Sequence, residues 1–302
     1  MSGSSTYAAW IAVDWGTSNL RAWAMSDTNG VLDMVTSDKG MMDLERSEFE
    51  PHLLSLIEPW LGGETTRVIA CGMIGARQGW AEVPYRKVPT IPTSDLHSIT
   101  CEDSRLLVQI LPGLKQLKHA DVMRGEETQI AGFLAGNQNF DGVICLPGTH
   151  TKWAHISAGE VVSFQTFMTG ELFDLLSCQS ILRHSVGTRE DWSDAAFAEA
   201  VGDALSRPAA LGANLFQLRA SDLLEGRTLA ANRARMSGLL IGMELAAAKP
   251  YWLGQEIALV GEPHLNDLYA SALTAQGLAP SKHIGDEQTL RGLIAAYQES
   301  NL

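Results

Sequence analysis

The chain has 302 residues, which is long enough for two domains of ordinary size. A composition of 45% hydrophobic and 19% charged residues is typical of a globular protein and excludes general disorder. The 35 acidic residues against 22 basic ones give a formal net charge of -13, which argues against a nucleic-acid-binding surface because such a surface needs a basic stripe.

The cysteines and the N-terminal residues argue against several further classes of protein. The four cysteines stand far apart, without a CxxC pair or a Cys/His cluster, so neither a zinc site nor a disulfide framework is indicated. The polar residues 2–6 lead directly into a strand, without the segments of a secretory signal, and no apolar window suits a membrane span. We expect a cytoplasmic protein that contacts neither membrane nor nucleic acid; a homodimer is compatible with the sequence.

The first part of the chain predicts strands joined by tight turns. Three apolar runs at residues 10–15, 21–26 and 31–36 predict a three-stranded meander. Residues 27–30, with the turn sequence DTNG, separate its last two strands. The other elements predicted in this part are a helix within 44–60, a strand at 67–73 and a helix over 126–135.

The pattern then starts again. Strands predicted at 143–146, 152–156 and 161–167 form a second meander, with glycine in each of its turns. The elements predicted after it are a helix over 171–182 capped by Thr169, several helices within 192–248, a strand at 257–260 and helices over 264–275 and 290–298.

The repeated meander predicts a duplicated α/β fold, with domains at 1–138 and 139–302 and a cleft between the two copies. The alternative is a single continuous α/β sheet in which the similar turns are coincidental.

Two glycine turns carry candidate phosphate-binding groups. The turn 14–19 (DWGTSN) offers hydroxyl, amide and backbone donors, and its Asp14 can hold a hydrated magnesium ion. The turn 146–152 (LPGTHTK) offers similar groups and adds the cation of Lys152. Facing each other across a cleft, the two turns would clamp a polyphosphate, although each alone is also compatible with an ordinary hairpin.

Two further segments are ambiguous when taken alone. Glu126 and Glu127 open a predicted helix, where a carboxylate can accept a proton in phosphoryl transfer or only stabilise the helix dipole. Gly261, after a strand, can allow an adenine or ribose close to the backbone, but an ordinary strand-to-helix connection has the same pattern.

In chain order, these segments resemble the nucleotide signature of the actin-like ATPase and sugar-kinase superfamily. Residues 14–21 resemble its first phosphate loop, 146–151 its second and 261–266 its adenosine loop. Residues 125–129 (GEETQ) are similar to the Gly-Asp-Gln-Gln segment of glycerol and xylulose kinases, in which the Asp is the base. A closer resemblance, to the 2-dehydro-3-deoxygalactonokinase family, covers nearly the whole chain in VDWGTSNLRAW, CGMIGARQGW, RGEETQIAGF, LPGTHTKW, FMTGELFDLL and VGEPHLNDLY.

The resemblance implies a duplicated actin-like (ribonuclease H-like) two-domain kinase fold with an interdomain cleft. It implies Mg²⁺-dependent transfer of phosphate from ATP to the terminal hydroxyl of 2-dehydro-3-deoxy-galactonate, with Glu126 or Glu127 as base and Asp14 at the metal. The alternatives are a kinase of a related sugar, polyol or sugar acid and a non-catalytic nucleotide sensor. The implied phosphate-binding residues are Asp14, Gly16, Thr17, Ser18, Asn19, Arg21, Gly148, Thr149, Thr151 and Lys152, and the implied adenosine-binding residues are Gly261 and Asn266.

A sugar-acid substrate requires a cation for its carboxylate. The candidates are Arg77, in the loop GARQGW, and Arg124, because arginine suits bidentate carboxylate recognition. Trp80 could cover the carbon chain, and Thr169 and Glu171 could face the cleft. The alternatives are a solvated turn for Arg77, a core position for Trp80 and helix stabilisation for Glu171.

Overall fold

The computed structural model describes residues 7–187 and 192–301. These residues form two compact units. The first unit consists of residues 7–140, 156–163 and 285–301, and the second of Asp141–His155 and Phe164–Ile284 apart from 188–191. None of the helices in the described ranges has the length and apolar character needed to cross a membrane.

The elements are numbered in chain order. The strands are β1 (Trp10–Trp15), β2 (Leu20–Met25), β3 (Val31–Ser37), β4 (Thr66–Gly72), β5 (Arg86–Lys87), β6 (His97–Ser98), β7 (Leu106–Ile110), β8 (Leu114–Gln116), β9 (Asp121–Met123), β10 (Gly142–Leu146), β11 (Thr151–Ser157), β12 (Glu160–Phe167), β13 (Ile257–Gly261) and β14 (Ser281–Ile284). The helices are α1 (Phe49–Ile57), α2 (Glu126–Gly136), α3 (Thr169–Cys178), α4 (Asp194–Ser206), α5 (Leu211–Glu225), α6 (Leu229–Ala247), α7 (Lys249–Trp252), α8 (Pro263–Thr274) and α9 (Gly285–Glu299).

The main sheet of the first unit has the order β3-β2-β1-β4-β7-β6. Strands β1, β2 and β3 are antiparallel neighbours, which confirms the first predicted meander. Strand β4 runs parallel to β1, and β7 runs parallel to β4. The register places Asp14 beside Cys71 and Trp15 beside Gly72, so β1 and β4 end together at one edge of the sheet.

Strands β1 and β4 of this sheet are buried on both faces. One face packs against α1 through residues that include Phe49, and the other against α9, where the rings of Trp10 and Tyr297 stack at 4.2 Å. Burial on both faces explains why β1 and β4 are nearly continuous apolar runs. The final helix thus belongs by its contacts to the first unit; the domain limits at 1–138 and 139–302 stay a prediction.

The second unit repeats this sheet. Its order is β12-β11-β10-β13-β14, with β13 parallel to both β10 and β14. Short turns join β10 to β11 and β11 to β12, and such neighbours must be antiparallel because a parallel connection needs a long crossover. The order matches β3-β2-β1-β4-β7 strand for strand, which confirms the second meander and the duplicated fold.

Two local predictions in the second unit need correction. Thr169 does not cap α3: Met168 is the N-cap, and the Thr169 hydroxyl donates to the buried carboxylate of Glu244 instead. Strand β14 was not predicted, because its sequence SKHI is short and partly polar. Its pairing with β13 determines its conformation.

Candidate active site

The first glycine loop lies between β1 and β2 in the first unit. Its turn is closed by a hydrogen bond from the Gly16 N–H to the Asn19 carbonyl at 2.8 Å. A cavity of about 660 Å³ is bounded by this loop and by the end of β3. The predicted residues that line it are Asp14, Gly16, Thr17, Ser18, Asn19 and Arg21, and the residues there that sequence reasoning missed include Asp38 and Asp286.

Arg21 joins two of these carboxylates. Its guanidinium lies 2.6 Å from the Asp14 Oδ2 and 2.5 Å from the Asp286 Oδ2. Burial disfavours the charge of Arg21, but the two carboxylates outweigh burial and raise its pKa above the ordinary value. In this arrangement Arg21 fixes the orientation of the Asp14 carboxylate at the end of β1.

The backbone of the loop rests on a segment that no local pattern marks. The Met41 and Met42 N–H groups donate to the Gly16 and Thr17 carbonyls at 3.0 and 3.1 Å. A Cβ atom at Gly40 would collide with the Thr17 carbonyl oxygen, so only glycine allows this close approach. The contact holds the loop from below while the side chains of residues 17–19 remain exposed.

The carboxylates of Glu126 and Glu127 lie at the start of α2. The Arg124 N–H donates to the Glu126 Oε2 at 3.0 Å, and the Gly125 N–H donates to the Glu127 Oε2 at 2.7 Å. Glu127 is fully buried, whereas Glu126 is half-buried. A Cβ at Gly125 would lie 3.6 Å from the Gly72 Cα, so α2 begins beside the ends of β1 and β4. The two candidate general bases, Glu126 and Glu127, therefore lie at the same edge of the sheet as Asp14.

Burial has a large effect on Glu127. It raises the pKa of this carboxyl to about 8, and the neighbouring charge of Glu126 adds to the rise. Hydrogen bonds from the backbone and the charge of Arg124 oppose the rise without cancelling it. Glu127 is therefore mostly a neutral acid near pH 7.

This pKa predicts a pH dependence of stability. Because the folded-state pKa of about 8 lies above the ordinary 4.5, folding favours the protonated form. The stabilisation is fully present below the ordinary pKa and is lost as the pH rises through the folded one, by up to about 1.4 kcal/mol per pH unit. In urea unfolding from pH 5 to 8, we expect wild type to lose stability relative to Glu127→Gln, with exposed Glu64→Gln as control. Parallel curves for wild type and Glu127→Gln would contradict this.

The predicted substrate residues of the first unit differ in their surroundings. Arg77 is exposed, and Trp80 is 8% exposed and stacks at 6.4 Å on Phe49 in the core. The Arg124 guanidinium lies 4.3 Å from the centre of the Tyr85 ring and donates from Nη2 to the Val83 carbonyl at 2.8 Å. Its Nε and Nη1 are buried without a hydrogen-bond partner within the described ranges.

The second glycine loop lies between β10 and β11 and is held against α3. The Glu171 N–H donates to the Thr149 carbonyl at 3.0 Å, and the Glu171 carboxylate lies 2.6 Å from the His150 Nε2. A Cβ at Gly170 would collide with the Gly148 carbonyl, as one at Gly40 would with the first loop. A cavity of about 850 Å³ extends from Gly148 and Thr149 along α3, α6 and α8.

The side chains of Thr151 and Lys152 lie beneath this loop and not on its surface. Both residues are buried. The Thr151 hydroxyl lies 3.0 Å from the Tyr269 hydroxyl, and the Lys152 Nζ donates to the His150 carbonyl at 3.1 Å. These contacts anchor the loop; phosphate contacts of the two side chains stay a prediction.

The predicted adenosine residues form the connection between β13 and α8. A Cβ at Gly261 would lie 3.2 Å from the Pro147 carbonyl, so this glycine packs on the second loop. The Asn266 Nδ2 donates to the Gly261 carbonyl at 3.2 Å and to the His283 carbonyl at 2.9 Å. The cavity is lined at this connection by His264, not by Gly261 or Asn266.

Sequence reasoning missed Glu244, a fully buried carboxylate on α6. It accepts hydrogen bonds from the Trp153 Nε1 and the Tyr269 hydroxyl, each at 2.8 Å, and from the Thr169 hydroxyl. Burial raises its pKa to about 7, against the opposing effect of these donors. One Glu in an Ala/Leu-rich helix carries no sequence signal, because its partners come from distant segments.

The carboxylates of the described residues are too scattered to form a metal site made of protein ligands alone. No cluster of three or more His, Cys, Asp or Glu side chains that could hold a metal occurs in the described part of the chain. A single carboxylate such as Asp14 fits magnesium, which retains several waters and binds phosphates alongside one or two carboxylates.

The two sheets of matching strand order, each with a glycine loop after its first strand, define a duplicated α/β fold of the actin-like class. Residues 14–296 match the family model described as 2-keto-3-deoxy-galactonokinase, and the chain belongs to this family. It is 38% identical to a probable 2-dehydro-3-deoxygalactonokinase of Rhizobium meliloti (strain 1021), over 97% of each chain. It is 34% identical to the 2-dehydro-3-deoxygalactonokinase of Escherichia coli (strain K12), over 95% of this chain and 96% of the relative.

A solved structure supports the same assignment. A crystal structure from Sinorhizobium meliloti, provisionally described as a 2-dehydro-3-deoxygalactonokinase, matches with a TM-score of 0.89 and 38% identity. The match covers 96% of this chain and 99% of that one. The family resemblance expected from the sequence is confirmed.

Proposed function

We propose that this protein transfers the γ-phosphoryl group of ATP to the terminal hydroxyl of 2-dehydro-3-deoxy-galactonate, giving the 6-phosphate and ADP. The observation that carries this proposal is the family match over residues 14–296. The reaction would take place in the cytoplasm, and a homodimer stays a prediction.

The two glycine loops supply the proposed phosphate contacts. Backbone N–H groups and hydroxyls of residues 17–19 and 148–149 are suited to phosphate oxygens. The Gly16 N–H instead closes the first loop on the Asn19 carbonyl. Asp14 would orient a magnesium ion through water, and the ion would neutralise charge on the β- and γ-phosphates. Arg21 would act mainly by holding Asp14, because both ends of its guanidinium contact carboxylates.

The 850 Å³ cavity of the second unit is the proposed site of adenosine. It begins at the second loop and is lined by Phe173, Trp192 and apolar residues of α6 and α8. Its volume lies in the range of small-molecule sites, and aromatic and apolar walls suit a purine base. Gly261 and Asn266 would then act from outside the cavity by shaping the start of α8, whose first turn carries His264.

Glu126 is the proposed general base. Glu127 has no exposed surface and is mostly protonated near pH 7, so it cannot readily take a proton from a substrate. Glu126 is half-buried at the same helix start. In the transfer, the substrate hydroxyl oxygen forms a bond to Pγ, the bond from Pγ to the β,γ-bridging oxygen breaks, and Glu126 receives the hydroxyl proton.

Arg124 is the proposed partner of the sugar-acid carboxylate. Its buried Nε and Nη1 have no hydrogen-bond acceptor in the described part of the chain, and unmet buried donors are costly. A carboxylate that reaches this guanidinium can accept a charge-assisted hydrogen bond from one of these two atoms. Arg77 is exposed and Trp80 is largely enclosed in the core, so neither combines burial with unmet donors.

A coupled assay of ADP release with magnesium and ATP tests the function. We expect 2-dehydro-3-deoxy-galactonate to give the highest kcat/KM in a panel that also contains other sugar acids, sugars and polyols. A higher value for another acceptor would assign the protein to a different substrate. ATP binding without ADP release for any acceptor would favour a nucleotide sensor.

A further inference from the structure

Glu244 has no role in the reaction outlined above, yet it lies directly beneath the nucleotide cavity. It follows Leu240 and Ile241 on α6 by one helical turn, and both of those residues line the cavity. The carboxylate is fully buried and accepts three hydrogen bonds. Burying a carboxylate among apolar residues is unfavourable unless hydrogen bonds compensate for the lost water, and here these three donors do so.

The three donors come from three different elements. Trp153 lies on β11, Thr169 opens α3 and Tyr269 lies on α8. Thr169 and Tyr269 also line the cavity. Hydrogen bonds that converge on one acceptor in a low-dielectric interior are strong and costly to break, so one carboxylate can hold the three elements together.

The same contacts reach the second glycine loop from two directions. Strand β11, which carries Trp153, begins directly after the loop, and its first residue, Thr151, lies 3.0 Å from the Tyr269 hydroxyl. On α3, Gly170 follows Thr169 and packs against the Gly148 carbonyl. A shift of the Glu244 carboxylate would therefore move both the loop and the cavity floor.

We propose that Glu244 is a positioning residue for nucleotide binding, which holds the second glycine loop and the floor of the cavity in their ATP-binding geometry. This role depends on the proposed use of ATP but not on the identity of the acceptor. It predicts a loss of ATP affinity that is separable from phosphoryl transfer, because the proposed base and acid-binding residues lie in the first unit.

The first measurement is calorimetric binding of magnesium-ATP to the full-length protein, without an acceptor. We expect Glu244→Gln to raise the Kd for ATP about tenfold, the equivalent of one ordinary hydrogen bond. In steady-state assays, the KM for ATP should rise while the KM for the acceptor stays unchanged. A folded Glu244→Gln protein with the wild-type Kd would overturn the assignment.

A matched pair of tryptophan variants tests the role if Glu244→Gln does not fold. Trp153 donates to Glu244, whereas Trp252 donates to the Leu245 carbonyl in the same unit and does not line the cavity. Each change to Phe removes one buried indole N–H. We expect Trp153→Phe to raise the Kd for ATP by at least about threefold and Trp252→Phe to leave it unchanged. Equal effects of the two changes on the Kd for ATP would mean that Glu244 contributes only to the general stability of the unit, and would overturn the proposal.

Direct ATP binding keeps this test separate from the proposed reaction. If wild type binds ATP but phosphorylates no sugar acid, the proposed acceptor is wrong and the Kd values still decide the role of Glu244. If wild type does not bind ATP at all, both the proposed function and the role of Glu244 are refuted.

Discussion

Replacing Glu126 by Gln is expected to lower kcat for phosphoryl transfer by ~10²–10⁴-fold, which is the usual contribution of a positioned general base. The amide has nearly the same size, and its oxygen can still accept the Arg124 N–H that lies 3.0 Å from the carboxylate. The fold and the Kd for ATP should therefore remain close to wild type. Steady-state ADP release and calorimetric ATP binding measure the two effects separately.

The matched control is Glu127→Gln. Glu127 is fully buried and its pKa is raised to about 8, so an amide resembles the protonated form that prevails near pH 7. We expect this variant to retain most of the phosphotransfer activity. The reverse pattern, with an active Glu126→Gln and an inactive Glu127→Gln, would make Glu127 the base and would require it to become exposed during turnover.

The second large effect is expected for Asp14→Asn. The change removes the negative charge at the end of β1. Of the two carboxylates that contact Arg21, only that of Asp286 then remains. Because Asp14 is proposed to orient magnesium through water, we expect kcat/KM for ATP to fall by about 100-fold, at the upper end of outer-sphere effects on metal sites. The magnesium concentration for half-maximal activity should rise as well.

Asp286→Asn is the control for this change. Asp286 contacts the same guanidinium, but its side chain is 71% exposed and Arg21 retains its 2.6 Å contact with Asp14. Its kcat/KM and magnesium requirement should stay close to wild type. If Asp14→Asn keeps the magnesium dependence of wild type, Asp14 has no role at the metal; if both variants lose activity equally, the orientation of Arg21 is the important feature.

Features encoded in short segments of the chain could be predicted. The meanders follow from apolar runs separated by turn residues such as DTNG at 27–30, and their repetition identified the duplicated fold before any contact was known. The residues of the first glycine loop were found for the same reason. They are neighbours in sequence, and the structure places them around one cavity.

Contacts between distant segments could not be predicted. Gly40 and Gly170 each support a glycine loop from another part of the chain, and neither position has a local pattern that marks it. Thr169 has the residue type of a helix cap, but a buried acceptor from α6 takes its hydroxyl instead. At this position, the hydrogen bond to Glu244 outweighs the local preference of threonine for a helix cap.

By itself, the sequence determined the repeated α/β architecture, the family and the two loops, because each depends on periodicity, turn residues and motifs within a few neighbouring positions. Only the tertiary structure decided that Glu127 is enclosed while Glu126 is partly exposed, and that Glu244 collects three donors. The physical reason is that burial and hydrogen-bond satisfaction are properties of the packed chain. They change the chemistry of a carboxylate without changing its residue type.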